Sequence, residues 1–154
     1  MNQKVIIIAG SDSDLSHMGK IKSELDKFSI LSELRICSAH KQPSTCEGLI
    51  NEYNKSEDQL VYVAIAGGTD ALSGVVSFHS TSPVISCPPD PDNFNSCVFN
   101  PPGSSNSLIL KPANVARHIA QIFSLTNKEL KEIILSKNLE KVSKLEKADL
   151  ENKN

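Results

Sequence analysis

The chain has no apolar run approaching the roughly 20 residues that cross a bilayer, and its formal charge of -2 carries no basic excess. The first absence excludes a membrane-spanning helix; the second argues against a surface for nucleic acid or anionic lipid. The four cysteines, Cys37, Cys46, Cys87 and Cys97, show no C-x-x-C spacing. Free thiols of a cytoplasmic protein fit that pattern better than a zinc site or a disulfide frame. Aromatic residues are only 5%, few for sandwiching a flavin ring. A leader peptide is not expected either. The short apolar stretch of MNQKVIIIAGSD runs directly into Gly10-Ser11-Asp12-Ser13-Asp14 without a small-residue cleavage site, so it reads as a first strand. At 154 residues, with 39% hydrophobic and 22% charged content, the chain is one domain's worth with room for a real core.

What is present alternates. Lys4 to Ala9 is a β-branched apolar run stopped by Gly10, as expected of a strand buried on both faces. From Ser13 the period changes, and Leu15, Met18, Ile21, Leu25 and Phe28 share one helix face. Glu33 to Cys37 reads as a second strand, and Pro43 suits the first turn of a helix reaching about Tyr53. Gln59 to Ile65 is a third strand, followed by a short helix from about Asp70 to His79. Pro83 to Cys87 is a fourth strand, Ser107 to Leu110 a brief fifth, and Pro112 to Phe123 a helix. Strands alternating with helices imply right-handed crossovers and a parallel sheet in an α/β fold. Such sheets bind ligands at the carboxyl ends of their strands.

Two segments stand apart. Pro88 to Gly103 holds five prolines and three asparagines with little periodicity, as a lid, an interface element or a disordered loop would. The capping box Thr126-x-x-Glu129 predicts a further helix. Its apolar stripe (Leu130, Ile134, Val142 and Leu145, with Ile133, Leu135 and Leu139 nearby) reads as an arm packed on a neighbouring subunit, frayed from Asp149 to Asn154. Residues 1–125 and 126–154 are therefore expected to be the α/β domain and a helical extension.

Three loops follow strands one to three. In Gly10-Ser11-Asp12-Ser13-Asp14, glycine, hydroxyls and a helix N-terminus together suit a phosphate, and a carboxylate can hold ribose hydroxyls. Taken alone, capping by Ser11 or Ser13 is the favoured use. In Ser38-Ala39-His40-Lys41, an isolated loop histidine would be bland, but this one ends a strand beside an ammonium that can meet a phosphate. The ammonium disfavours imidazolium and keeps the ring available as a base. His17, His79 and His118 lie on predicted helices and have no such company. Ala66-Gly67-Gly68 is either a tight turn or a close-approach pocket suited to a small electrophile kept from water.

In this order GSDSD, SAHK and AGG resemble phosphoribosylaminoimidazole carboxylase of purine biosynthesis, over roughly residues 4 to 124. The resemblance implies a three-layer α/β/α flavodoxin-like fold and no metal or organic cofactor. It also implies a homo-oligomer, a tetramer or octamer, with active sites between subunits and no nucleic-acid or membrane partner. Of the family's two classes the chain looks like the second, which uses carbon dioxide and also occurs fused in an animal bifunctional enzyme whose partner domain is not expected here. The first class, a mutase of N5-carboxyaminoimidazole ribonucleotide, has arginine after the SAH histidine and a second histidine in an AGGAAHLPG-type run. This chain has Lys41 and, in the second place, Ala71. Ile85-Ser86-Cys87-Pro88-Pro89 and Ala120-Gln121-Ile122-Phe123 also look like the second class.

By resemblance, Ser11, Ser13 and Asp14 hold phosphate and ribose within the Gly10–Asp14 loop, with Lys41 assisting. Ser38, Ala39, Ala66, Gly67, Gly68 and Leu72 line the imidazole and carbon dioxide pocket, and His40 is the general acid/base. Gly68-Thr69-Asp70 departs from both classes. The competing readings are the mutase reaction, a non-enzymatic flavodoxin-like nucleotide binder, and an inactive structural partner.

Overall fold

Alternate residues of the first strand feed two separate cores, and the rest of the fold follows from that. In the computed structural model, which describes residues 2–90, 92 and 94–153, β1 spans Gln3–Ala9 and is fully buried from Val5 onward. Val5, Ile7 and Ala9 face a cluster with Met18, Ile21, Leu25, Val115 and Ile119. Ile6 and Ile8 face the opposite cluster with Cys46, Ile50, Leu72 and Val76. A strand apolar on both faces must lie inside a sheet covered by helices on both sides.

The sheet is all parallel in the order β2-β1-β3-β4-β5, with β2 at Leu31–Ile36, β3 at Gln59–Ile65, β4 at Val84–Ser86 and β5 at Ser107–Leu108. The helices are α1 (Leu15–Asp26), α2 (Pro43–Tyr53), α3 (Leu72–His79), α4 (Asn95–Val98), α5 (Pro112–Phe123) and α6 (Lys128–Glu151). This is the expected flavodoxin-like α/β arrangement, and most expected boundaries lie within two residues of those observed. No helix among the described residues is long and apolar enough to cross a membrane.

The helix ends have local causes. Pro43 and Pro112 open α2 and α5, where a missing N–H costs nothing. After α1 the chain reverses through Ser29, at φ 57°, and the Ile30 N–H reaches back to the Leu25 carbonyl at 3.2 Å. Phe28 is buried but lies past the end of α1.

Three expectations need correction. The cap of α6 is Asn127, whose side chain accepts from Leu130 N–H at 3.1 Å, and not Thr126. Thr126 still belongs to the turn after α5, its N–H on the Phe123 carbonyl, and its hydroxyl donates to Gln59 Oε1 at 2.8 Å. The expected fraying from Asp149 is not seen up to Glu151, which ends the helix; Asn154 lies outside the described residues. The segment from Pro88 to Gly103 contains the short helix α4, while its Pro91 and Asn93 lie outside the described residues.

The apolar stripe of α6 divides. Leu130 and Ile134 are buried in the chain's own core, with Ile133 packed against it. Leu135, Leu139, Val142 and Leu145 are exposed.

Candidate active site

The ladder continues one residue past the ends of the central strands. Gly10 N–H bonds to the Ile65 carbonyl at 3.0 Å, and Cys37 N–H bonds to the Ala9 carbonyl at 2.8 Å. The loops after β1, β2 and β3 therefore leave the sheet at one level. Strand order reverses between β1 and β3, so α1 covers one face while α2 and α3 cover the other. The crevice opens at this junction, at the carboxyl ends of the strands.

The first loop is a single 3₁₀ turn over Asp12–Asp14. Ser11 caps it, accepting from Ser13 N–H at 3.2 Å, and the Ser11 and Ser13 hydroxyls share a 2.8 Å hydrogen bond. The capping role is thus real for Ser11. Asp14 occupies the cap position of α1 without making a capping bond. Burial pushes its carboxyl above the usual range, and His17 one turn on opposes that. A raised carboxylate pKa means that ionised Asp14 is held at some cost to the fold.

The second loop closes on Ser38. Its carbonyl accepts from Gln42 N–H at 2.8 Å, and its hydroxyl accepts from Lys41 N–H at 3.2 Å. Gln42 in turn supplies the carbonyl for Cys46 N–H at 3.0 Å in the first turn of α2. These bonds hold the backbone around His40 while leaving the exposed imidazole with no hydrogen bond among the described residues. The third loop runs from Ala66 to Ala71, with Gly68 in the left-handed region at φ 65°.

The three loops enclose a pocket of about 180 Å³ lined by Gly10, Ser11, Asp14, Ser38, Ala39, His40, Lys41, Ala66, Gly67, Thr69, Ala71 and Leu72. Ten of the expected residues thus meet in one place, His40 among them. Asp12, Ser13 and Gly68 are in the same loops but do not line it. Thr69 and Ala71 were not expected as lining residues. For Thr69 the only signal was its position between Gly68 and Leu72, whereas Ala71 was marked by the resemblance, standing where the first class has its second histidine. A larger hollow of about 680 Å³ lies at the opposite, amino ends of the strands. It has no imidazole, and the amides of Gln3, Gln59 and Asn127 around it are occupied in docking α6.

His17 sits at the core's edge. Its Nε2 is 3.1 Å from the Cys87 carbonyl and 3.4 Å from Cys87 Sγ. Burial lowers the His17 pKa, the carbonyl contact opposing this, and burial pushes the Cys87 thiol up to about 12. A thiol held protonated in this way is inert, and the pair ties α1 to the end of β4. Among the described residues no group of three or more His, Cys, Asp or Glu side chains is placed to hold a metal ion.

A pocket with hydroxyls and a helix N-terminus at one end, a cation and an imidazole on the second wall, and small residues on the third can seat a phosphorylated ligand and move a proton. Comparisons with known proteins give the family. The family model described as AIR carboxylase matches residues 4–144, reaching well into α6. A phosphoribosylaminoimidazole carboxylase of Archaeoglobus fulgidus is 38% identical over 153 residues, covering 96% of this chain and 84% of that protein. The one of Treponema denticola is 40% identical over 141 residues, covering 88% and 89%. The crystal structure of Treponema denticola PurE superposes with a TM-score of 0.95 at 36% identity, covering 99% of this chain and all of that one.

Proposed function

We propose that this chain, which belongs to the AIR carboxylase family, is the enzyme that carboxylates 5-aminoimidazole ribonucleotide with carbon dioxide in purine biosynthesis. The observation that carries the reading is the meeting of GSDSD, SAHK and AGG in one pocket with His40 on its wall. The choice of carbon dioxide over an N-carboxylated nucleotide rests on Ala71. It lines the pocket where the resemblance puts the mutase class's second histidine, and its methyl group cannot relay a proton.

In this reading Ser11 and Asp14 hold the phosphate and ribose, Ser13 backs Ser11 through their 2.8 Å hydroxyl contact, and Lys41 adds a charge to the phosphate. The aminoimidazole is an enamine, so its C4 carbon is nucleophilic without help. The C4 electron pair forms the new carbon–carbon bond, and one carbon–oxygen π pair of carbon dioxide moves to oxygen as the carboxylate. Hydrogen-bond donors of the wall formed by the β3–α3 loop stabilise that charge. His40 then takes the C4 proton, and the C–H pair returns to the ring, restoring aromaticity. Orientation and exclusion of water are the protein's main contribution, since neither reactant is strongly activated.

The pocket is open on the single chain, with His40, Lys41, Gly67 and Thr69 exposed. A site completed by a neighbouring subunit of a homo-oligomer would look like this, and the exposed half of the α6 stripe is the arm assigned to that contact. Incubation of the enzyme with aminoimidazole ribonucleotide and bicarbonate, followed by imidazole absorbance, tests the function. Carboxylated product should accumulate, and its absence would sink the reading.

A further inference from the structure

The run Gly68-Thr69-Asp70, which departs from both family classes, has a structural counterpart outside its own loop. Asp70 is only 5% exposed and is held from two sides. Its Oδ1 accepts from Ser73 N–H at 2.9 Å, which caps the first turn of α3. Its own N–H donates to Ser96 Oγ at 2.8 Å, and Ser96 belongs to α4 in the segment after β4. The same segment touches the loop a second time, because a Cβ on Gly67 would lie 3.7 Å from Pro89 Cγ.

The support behind Ser96 is itself anchored. Asn106 Nδ2 donates to Ser86 Oγ at 2.8 Å at the end of β4, and to the Cys97 carbonyl at 3.0 Å beside Ser96. Asn100 bonds to the Asn106 Oδ1. A hydrogen-bonded path therefore runs from the sheet through Asn106 and α4 to the loop that walls the pocket. Two consecutive glycines give that loop little stiffness of its own, so the clasp matters to where the wall stands.

We propose that Ser96 is a positioning residue for the reaction. By accepting from the Asp70 N–H it sets the Gly67–Thr69 wall at the distance carbon dioxide requires, without touching the nucleotide subsite at Ser11 and Asp14. This rests on the carboxylase reading above. It also gives Asp70 its part, as the residue that converts a clasp on the backbone into a fixed start for α3.

Ser96→Ala and Ser96→Thr, assayed with nucleotide and bicarbonate varied separately, test it. Ser96→Ala should raise the apparent KM for bicarbonate about fivefold, the worth of one neutral hydrogen bond. The KM for nucleotide should stay at its wild-type value while the melting temperature falls by about 2–4 °C, because the Asp70 N–H loses its acceptor. Ser96→Thr, which keeps the hydroxyl, should restore both the bicarbonate KM and the melting temperature. Unchanged kinetics in an active Ser96→Ala enzyme would overturn this inference alone. So would an equal rise in both KM values, the mark of a merely structural role. A wild-type enzyme with no carboxylation would overturn the function reading and this inference with it.

Discussion

Replacing His40 with asparagine separates chemistry from structure unusually well in this fold. The loop that carries His40 is closed by Ser38 and Gln42, and no described residue makes a hydrogen bond to the ring. The imidazole is exposed, so its loss opens no cavity and orphans no buried partner. The fold should therefore hold within about 0.5 kcal/mol, the usual range for such surface changes, or about 2 °C in melting temperature for a chain of this size. Deprotonation of C4 should fare far worse. Loss of a positioned general base lowers rates by about 10²- to 10⁴-fold, and the fall should appear in kcat with little change in nucleotide KM, because the phosphate and ribose contacts are assigned to the first loop and to Lys41 and not to His40. Steady-state carboxylation kinetics beside a thermal melt read both quantities. A His40→Asn enzyme with full turnover would refute the assignment; so would lost turnover explained by a large drop in melting temperature.

Other outcomes follow from the packing. Leu130 is 4% exposed and Leu139 is 70% exposed, so Leu130→Ala should cost about 3–5 kcal/mol and Leu139→Ala about 0.5 kcal/mol or less in urea unfolding at fixed protein concentration. A larger Leu139→Ala loss that shrinks on dilution would report the arm packing on a second copy. Ser29→Gly should stabilise the protein by about 0.5–1 kcal/mol, because φ 57° strains any side chain and suits glycine, and an unchanged or lower melting temperature would count against the strain argument. His17 has its pKa lowered from 6.5 by burial, so the folded state disfavours its proton. Its contribution is present above the unfolded pKa and lost as pH falls. His17→Gln should flatten the stability profile between pH 7 and pH 5, and a profile as steep as wild type would contradict the burial account.

Much of this was legible because the strongest signals are local. Val5 to Ala9 and Leu60 to Ile65 are apolar without interruption, and only a strand covered on both faces explains that. Pro43 and Pro112 announced their helices because φ is fixed in the residue itself. Where two residues compete, sequence alone did not decide. Thr126 and Asn127 are both good caps, and Asn127 prevails because the turn after α5 and Gln59, far away in the chain, claim Thr126.

The site shows the same division. His40 and Lys41 stood out by residue type and Ala71 by resemblance, whereas Thr69 lines the pocket through the geometry of a turn that has no composition signal. Ser96 could not be found at all, since its partner is a backbone N–H twenty-six positions away in sequence.

The carbon source is the central claim, and isotopic labelling reads it directly. The enzyme is given unlabelled aminoimidazole ribonucleotide with ¹³C-bicarbonate, and in a parallel reaction N-carboxylated nucleotide labelled in its carboxyl group against an unlabelled pool. The account predicts ¹³C-labelled product in the first reaction and unlabelled product in the second, each following the dissolved carbon dioxide pool. Label delivered intact from the N-carboxylated nucleotide, with none entering from bicarbonate, would contradict it and assign the mutase reaction instead.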